Sequence, residues 1–232
     1  MSAGFLLRVC HGKTGRLRFL SHLELVRAME RAVRRADLPF AVSHGFSPHI
    51  RLAFGPALPV GTAGLAEWLD LQMTDFVRPA EAFERLRAAT PPDLAPVRLA
   101  YVPAGSPSLS ACIATARYRV DLDPGVDPEA LAAGIATVMA SGTLDVSRKG
   151  KTRSFDLTRT VWEPPVVSDP VPGGDGGPSV ALGLRLGEQG SLRPEALVTT
   201  ALEYSGARAH ALTVTRIEML EERAGVLVDP LD

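Results

Sequence analysis

Gly15-Arg16-Leu17-Arg18-Phe19-Leu20-Ser21-His22-Leu23-Glu24-Leu25-Val26-Arg27-Ala28-Met29-Glu30-Arg31-Ala32-Val33-Arg34-Arg35-Ala36 sets the reading of the chain. Its first six residues are a basic turn that ends extended at Leu17–Leu20. Ser21 and Glu24 then form a capping box: the hydroxyl accepts the Glu24 N–H and the carboxylate reaches back. Leu23, Val26, Met29, Val33 and Ala36 repeat at three- and four-residue steps and predict the buried stripe of a helix. Arg27, Arg31, Arg34 and Arg35 fall on the other side. Leu38 precedes Pro39 and is biased away from the helical region, so the helix stops there.

Working outward, Phe5–Cys10 reads as a strand before the turn His11-Gly12-Lys13-Thr14-Gly15. After the helix, Ile50–Phe54 and Glu67–Met73 read as strands. In the second, Leu69, Leu71 and Met73 share one face, and Trp68, Asp70 and Gln72 the other. Arg78-Pro79 opens a helix to Ala89, and Val97–Val102 is a further strand. The order is strand, helix, strand, strand, helix, strand. Pro103–Ser108 is a linker rich in Pro, Gly and Ser. Beyond it the order recurs: strand 111–122, a helix capped by Asp127-Pro128, strands 144–146 and 154–161, strand 180–186, a helix from Arg193-Pro194 to Tyr204 and strand 212–220. The expected fold is α+β, two tandem duplicated ferredoxin-like (βαββαβ) modules, 1–104 and 109–232. The acidic tail goes with the second module. Residues 168–178, mostly Gly and Pro, read as a surface loop.

Composition bounds the function. Of 232 residues, 46% are hydrophobic and 22% charged, an ordinary soluble balance. The net charge of −1 gives no global attraction for nucleic acid. It hides an asymmetry. Residues 1–60 carry nine Lys/Arg against three acids, and Glu218–Asp232 carries five acids against one Arg. No apolar run is long enough to span a membrane. The N-terminus lacks a signal peptide's apolar stretch, so a reducing cytoplasm is the expected location. Cys10 and Cys112 have no CxxC spacing and read as buried thiols.

Four of the five His precede Gly61. The loop Ser43-His44-Gly45-Phe46-Ser47-Pro48-His49 has a shaped backbone, and Phe46 is placed to stack on a base. Lys13, Arg16, Arg18, Arg27 and Arg31 are candidate phosphate contacts, because guanidinium forks suit phosphate oxygens. Arg148, Lys149, Lys151 and Arg153 form a second basic turn, in the same slot of the repeat as the His loop. Two such loops predict a shared polyanion groove. Gly187–Pro194 is a Gly-bearing helix entry that could offer N–H groups to an anion. His22, His44 and His49 are the candidate catalytic residues. Their spacing is not that of a metal site, and no metal or cofactor is expected. Neither GxSxG nor HExxH occurs.

The segments 15–25, 45–49 and Phe54-Gly55-Pro56-Ala57-Leu58-Pro59-Val60-Gly61 resemble the uncharacterised radical-SAM-linked protein family. Arg148–Lys151 and Gly190-Ser191-Leu192-Arg193-Pro194 extend the resemblance through both halves. It implies a domain fused to, or encoded beside, a radical-SAM protein, often near ribonuclease and ribosomal-protein genes. The chain has no CxxxCxxC for a cluster, so radical chemistry would belong to a partner in trans. The function expected is a non-catalytic RNA-binding accessory, with tRNA or rRNA as partner. One alternative is a metal-independent RNA nuclease or phosphoryl-transfer enzyme with His22 or His49 as general base. Another is a protein-binding adaptor using residues 55–60.

Overall fold

A computed structural model describes residues 4–148, 150–170, 176–187, 191–207 and 212–232. Lys149, residues 188–190 of the helix-entry segment and residues 171–175 of the Gly/Pro-rich stretch 168–178 lie outside them. The chain is α+β and divides into two compact units, Met1–Ile113 with Glu218–Asp232, and Ala114–Ile217. No helix is long and apolar enough to cross a membrane.

The first unit contains β1 (Phe5–Lys13), α1 (His22–Arg35), β2 (Leu52–Phe54), β3 (Ala63–Met73), α2 (Pro79–Ala89), β4 (Pro96–Val102) and the single turn α3 (Leu109–Cys112). Its strands lie in the order β4-β1-β3-β2, each pair antiparallel. Leu7, Val9, Leu69, Leu71 and Met73 face the two helices and pack on Leu25, Met29, Val33 and Leu86. Ser21 caps α1 as expected, with both halves of the box formed. The stripe is rotated from the expected one: Leu25, Met29, Ala32, Val33 and Ala36 are buried, whereas Leu23 is 66% exposed. Leu23 precedes Leu25 by two residues, about 200° around the helix, and so falls opposite the buried stripe. Gly15–Phe19, expected as extended at its end, is a 3₁₀ turn. Gly15 enters it at φ +50, and a Cβ there would overlap the Asp93 carboxylate, which accepts from the Thr14 hydroxyl at 3.0 Å.

The second unit contains β5 (Ile113–Leu122), α4 (Pro128–Ala140), β6 (Thr143–Arg148), β7 (Lys151–Asp156), the turn α5 (Leu157–Thr160), β8 (Val161–Ser168), β9 (Ser179–Arg185), α6 (Pro194–Tyr204) and β10 (Leu212–Arg223). Its strand order is β10-β5-β9-β8, and β6-β7 is a separate two-stranded ribbon. The ribbon and α5 occupy the chain between the first helix and the second sheet strand. Helices α4 and α6 touch at Gly134, where a Cβ would overlap the Ala201 carbonyl oxygen. Gly134→Ala is therefore expected to destabilise the protein by about 1–3 kcal/mol through overpacking. Its gain in helix propensity is at most about 1 kcal/mol. A thermal melt unchanged by the substitution would contradict the contact.

The tail, grouped with the second module in the sequence reading, belongs to the first unit. There β11 (Val226–Val228) pairs with the end of β10. The reason is electrostatic. Arg8, on the sheet face away from the helices, is 2% exposed and donates to both Asp70 oxygens at 2.8 and 3.1 Å. It also donates to Glu221 at 3.0 Å and to the Pro230 and Pro107 carbonyls. A buried guanidinium needs such partners, and tail and linker supply them.

Candidate nucleic-acid interface

The basic face of α1 stands as the sequence suggests. Arg27, Arg31, Arg34 and Arg35 are exposed. Arg35 is tied to the Ala89 carbonyl at 2.7 Å. Arg27, Arg31 and Arg34 follow one another at four and three residues, one helix side. Arg16 is exposed on the 3₁₀ turn, and Arg18 is half-buried with its guanidinium 4.9 Å from the Phe19 ring centre. Exposed Glu24 lies below the usual carboxylate range, because the Ser21 hydroxyl and backbone N–H donate to it.

The His loop is closed at its root. Ser43 N–H donates to the His49 carbonyl at 2.8 Å, and His49 N–H to the Ser43 hydroxyl at 3.0 Å. Val42 and Ile50 bridge below it. The tip projects: His44 is exposed and Phe46, at 110% relative exposure, touches no core. Gly45 turns the backbone at φ +128, where a side chain would be strained. His49 Nδ1 lies 3.9 Å from Glu30 Oε1, which brings the root of the loop to α1.

In the second unit, the β6-β7 register pairs Arg148 with Lys151 and Val146 with Arg153. Alternation then puts Arg148, Lys151 and Arg153 on one side of the ribbon. All three are exposed, and Arg153 stands 4.7 Å from the Phe155 ring centre. Ser147 and Thr152 hydrogen-bond on the other side at 2.7 Å.

Two expectations need correction. Lys13 is 2% exposed, so it does not join a surface phosphate row. The alternation of Leu7 and Val9 carries on through His11 and Lys13, which turns both inward. The three candidate His do not form one catalytic group either. His22 packs edge-on against Phe54 at 5.4 Å, while His49 sits by Glu30, eight residues and roughly 12 Å further along α1. Among the described residues no group of three or more His, Cys, Asp or Glu is arranged to hold a metal.

Sequence reasoning missed the polar interior beside His22. His11 and Glu67 are register partners on β1 and β3, and both are buried with Lys13 and Trp68. Together they line a cavity of about 20 Å³ under Gly55–Leu58. The signal was the period-two row Leu7-Val9-His11, read as a turn from its Gly and Lys neighbours.

Cys10 is buried as expected, whereas Cys112 is half-buried; both thiols are held protonated. Burial first, then the Glu221 carboxylate that accepts from its Sγ at 3.0 Å, pushes Cys112 up to about 12. Burial pushes Cys10 up to about 11. From the ordinary value of 9.0, the unfolded chain loses these protons first. The thiol contribution to stability is thus full below pH 9 and falls as pH rises toward 11. Native protein at pH 8 is expected to resist iodoacetamide, with both cysteines labelled once it is unfolded. Fast native labelling would contradict the burial.

No curated protein matches the chain. Among solved structures, a chain of "Crystal Structure of a Cbf5-Nop10-Gar1 Complex" is similar in fold, with TM-score 0.50 and 13% identity. The match covers 95% of this chain and 51% of that one, so this chain spans about half its length. A protein from Galdieria sulphuraria, solved as an unknown protein, matches at 12% identity over 94% of this chain and 97% of that chain. Its TM-score of 0.25 carries no argument. The family described as "Uncharacterized protein conserved in bacteria (DUF2344)" matches residues 7–194, and the chain belongs to that family.

Proposed function

We propose that this protein is a non-catalytic RNA-binding accessory of the bacterial cytoplasm, working with a radical-SAM enzyme in trans. The observation that carries the RNA reading is the fully exposed Phe46, held on a closed loop beside the arginine row of α1. A solvated ring costs apolar burial that a stacked base would restore, at about 1–3 kcal/mol per base. Neighbouring guanidiniums hold the phosphates on either side. The radical-SAM partner rests on the family resemblance of the segments 15–25, 45–49 and 54–61.

The two units are, in this reading, copies of one ferredoxin-like module. The support is a shared order: β4-β1-β3-β2 in one and β10-β5-β9-β8 in the other, each with the fourth strand beside the first. The His loop and the basic ribbon then fill the same slot, after the first helix, and offer cations to one RNA. The RNA does not lie across the first unit's sheet, because Arg8, Cys10, Trp68 and Asp70 on that face are buried. Fluorescence anisotropy with a labelled tRNA tests the reading; absence of binding at low salt overturns it. If the enzyme alternative held instead, RNA cleavage would fall in a His22→Ala, His49→Ala variant.

A further inference from the structure

The first unit's sheet is closed over Arg8 and Trp68 on the side away from its helices, but open at the β2 edge, where Arg51 and Ala53 are exposed. Register sets Leu6 beside Gln72 and Ala53 beside Asp70, so these side chains share that side with Arg8. They floor a groove of about 440 Å³. Ser106 and Ser108 of the linker line it, as do Ser43 and Arg51 at the two ends of the His loop. All of it lies within the first unit. The loop that carries Phe46 leaves from this groove: Ser43 is three residues from Phe46, a reach of about 10 Å at most.

The chemistry of the lining narrows the ligand. Asp70 is already held through both oxygens by Arg8, which offsets its charge. The Arg51 guanidinium makes no ion pair or hydrogen bond among the described residues. That leaves the groove one positive charge, which suits one phosphodiester. Much of the remaining polar lining is hydroxyl. Ser43 Oγ accepts the His49 N–H at 3.0 Å and keeps its own O–H to donate. Ser108 Oγ lies 3.3 Å from Ser110 Oγ, and the Ser106 hydroxyl has no partner among the described residues. Hydroxyls both donate and accept, as those of a ribose do. No aromatic ring lines the groove, so it gives a base nothing to stack on. Its volume is at the small end for ligand sites, enough for one sugar and its phosphate.

We infer that this groove holds the ribose next to the base stacked on Phe46, with its phosphate on Arg51 and its 2′-hydroxyl among the serines. This rests on the RNA reading and deepens it, because a DNA strand lacks the 2′-hydroxyl. Phe46 and the arginine row of α1 hold either polymer, and the groove chooses between them.

Anisotropy with a labelled single-stranded oligouridine, and with its deoxyuridine counterpart of equal length, tests the choice. The ribo strand is expected to bind about 3- to 10-fold more tightly, the size of one net hydrogen bond. Ser106→Ala with Ser108→Ala should bring the ratio to one and leave the deoxy affinity unchanged. Ser108 makes no side-chain cap bond to α3 and neither serine is in the core, so this variant should melt like the unmodified protein. Arg51→Ala should instead weaken both strands alike and lower the salt slope by about 0.7. Equal affinity for the two strands in the unmodified protein overturns the inference. So does a ribo preference that survives the serine substitutions, or a slope that Arg51→Ala leaves unchanged. Each of these results leaves nucleic-acid binding at Phe46 and α1 standing. Binding of neither strand at low salt overturns the RNA reading itself, so the two failures are distinguishable.

Discussion

Arg8→Ala is expected to cost about 3–5 kcal/mol of stability, because it leaves the Asp70 and Glu221 carboxylates buried without their shared guanidinium. Asp70 is 4% and Glu221 3% exposed, so water does not replace what is lost. For a chain of this size the melting temperature should fall by roughly 6–20 °C. The same guanidinium binds the Pro107 and Pro230 carbonyls at 3.2 and 3.1 Å, and so ties linker and tail to β1. Arg98, paired with Asp229 and 5.0 Å from the Trp68 ring centre, is a second tie. Hydrogen exchange should accordingly rise across residues 226–232 before the core of β1 and β3 opens. A loss under about 1 kcal/mol, in the range of exposed ion pairs, would contradict the burial of this cluster.

Phe46→Ala is expected to separate binding from stability. The ring is fully exposed, so truncation should change the unfolding free energy by no more than about 0.5 kcal/mol. RNA affinity should fall by about 1–3 kcal/mol, roughly 5- to 150-fold, for loss of one stacked base. Phe46→Trp should retain the affinity, since stacking needs a ring rather than a particular residue. Equal affinities for Phe46→Ala and the unmodified protein would remove Phe46 from the interface.

Much of this was legible because local physics decided it. Ser21 and Glu24 fix where α1 begins whatever surrounds them, and Asp127 does the same for α4, accepting from Glu129 N–H at 3.0 Å. Alternation located both faces of β3. What was not legible depends on what covers a surface. Arg8 and Asp70 sit in ordinary strand alternation, and nothing in β1 or β3 announces that Glu221, over two hundred residues away, comes to meet them. Lys13 looked like a surface cation because Gly and Thr flank it; its burial follows from the continued pleat and from residues 55–58. The basic turn was read between two strands, but the second, expected over 154–161, ends at Asp156, gives way to the turn α5, and is followed by β8, which was not foreseen. The ribbon's separation from the sheet is a tertiary fact. The exposed Phe46 and arginine row were readable because a loop tip and a helix's outer side need no partner to be placed.

Everything functional turns on whether these exposed cations hold phosphates. The most direct measurement is the salt dependence of tRNA binding for the unmodified protein and for Arg27→Ala, Arg31→Ala. Each lost phosphate contact should reduce the slope of log K against log salt by about 0.7–0.9, so the double variant should lose about 1.4–1.8. A slope unchanged by the two substitutions, or no binding at all at low ionic strength, would contradict the account.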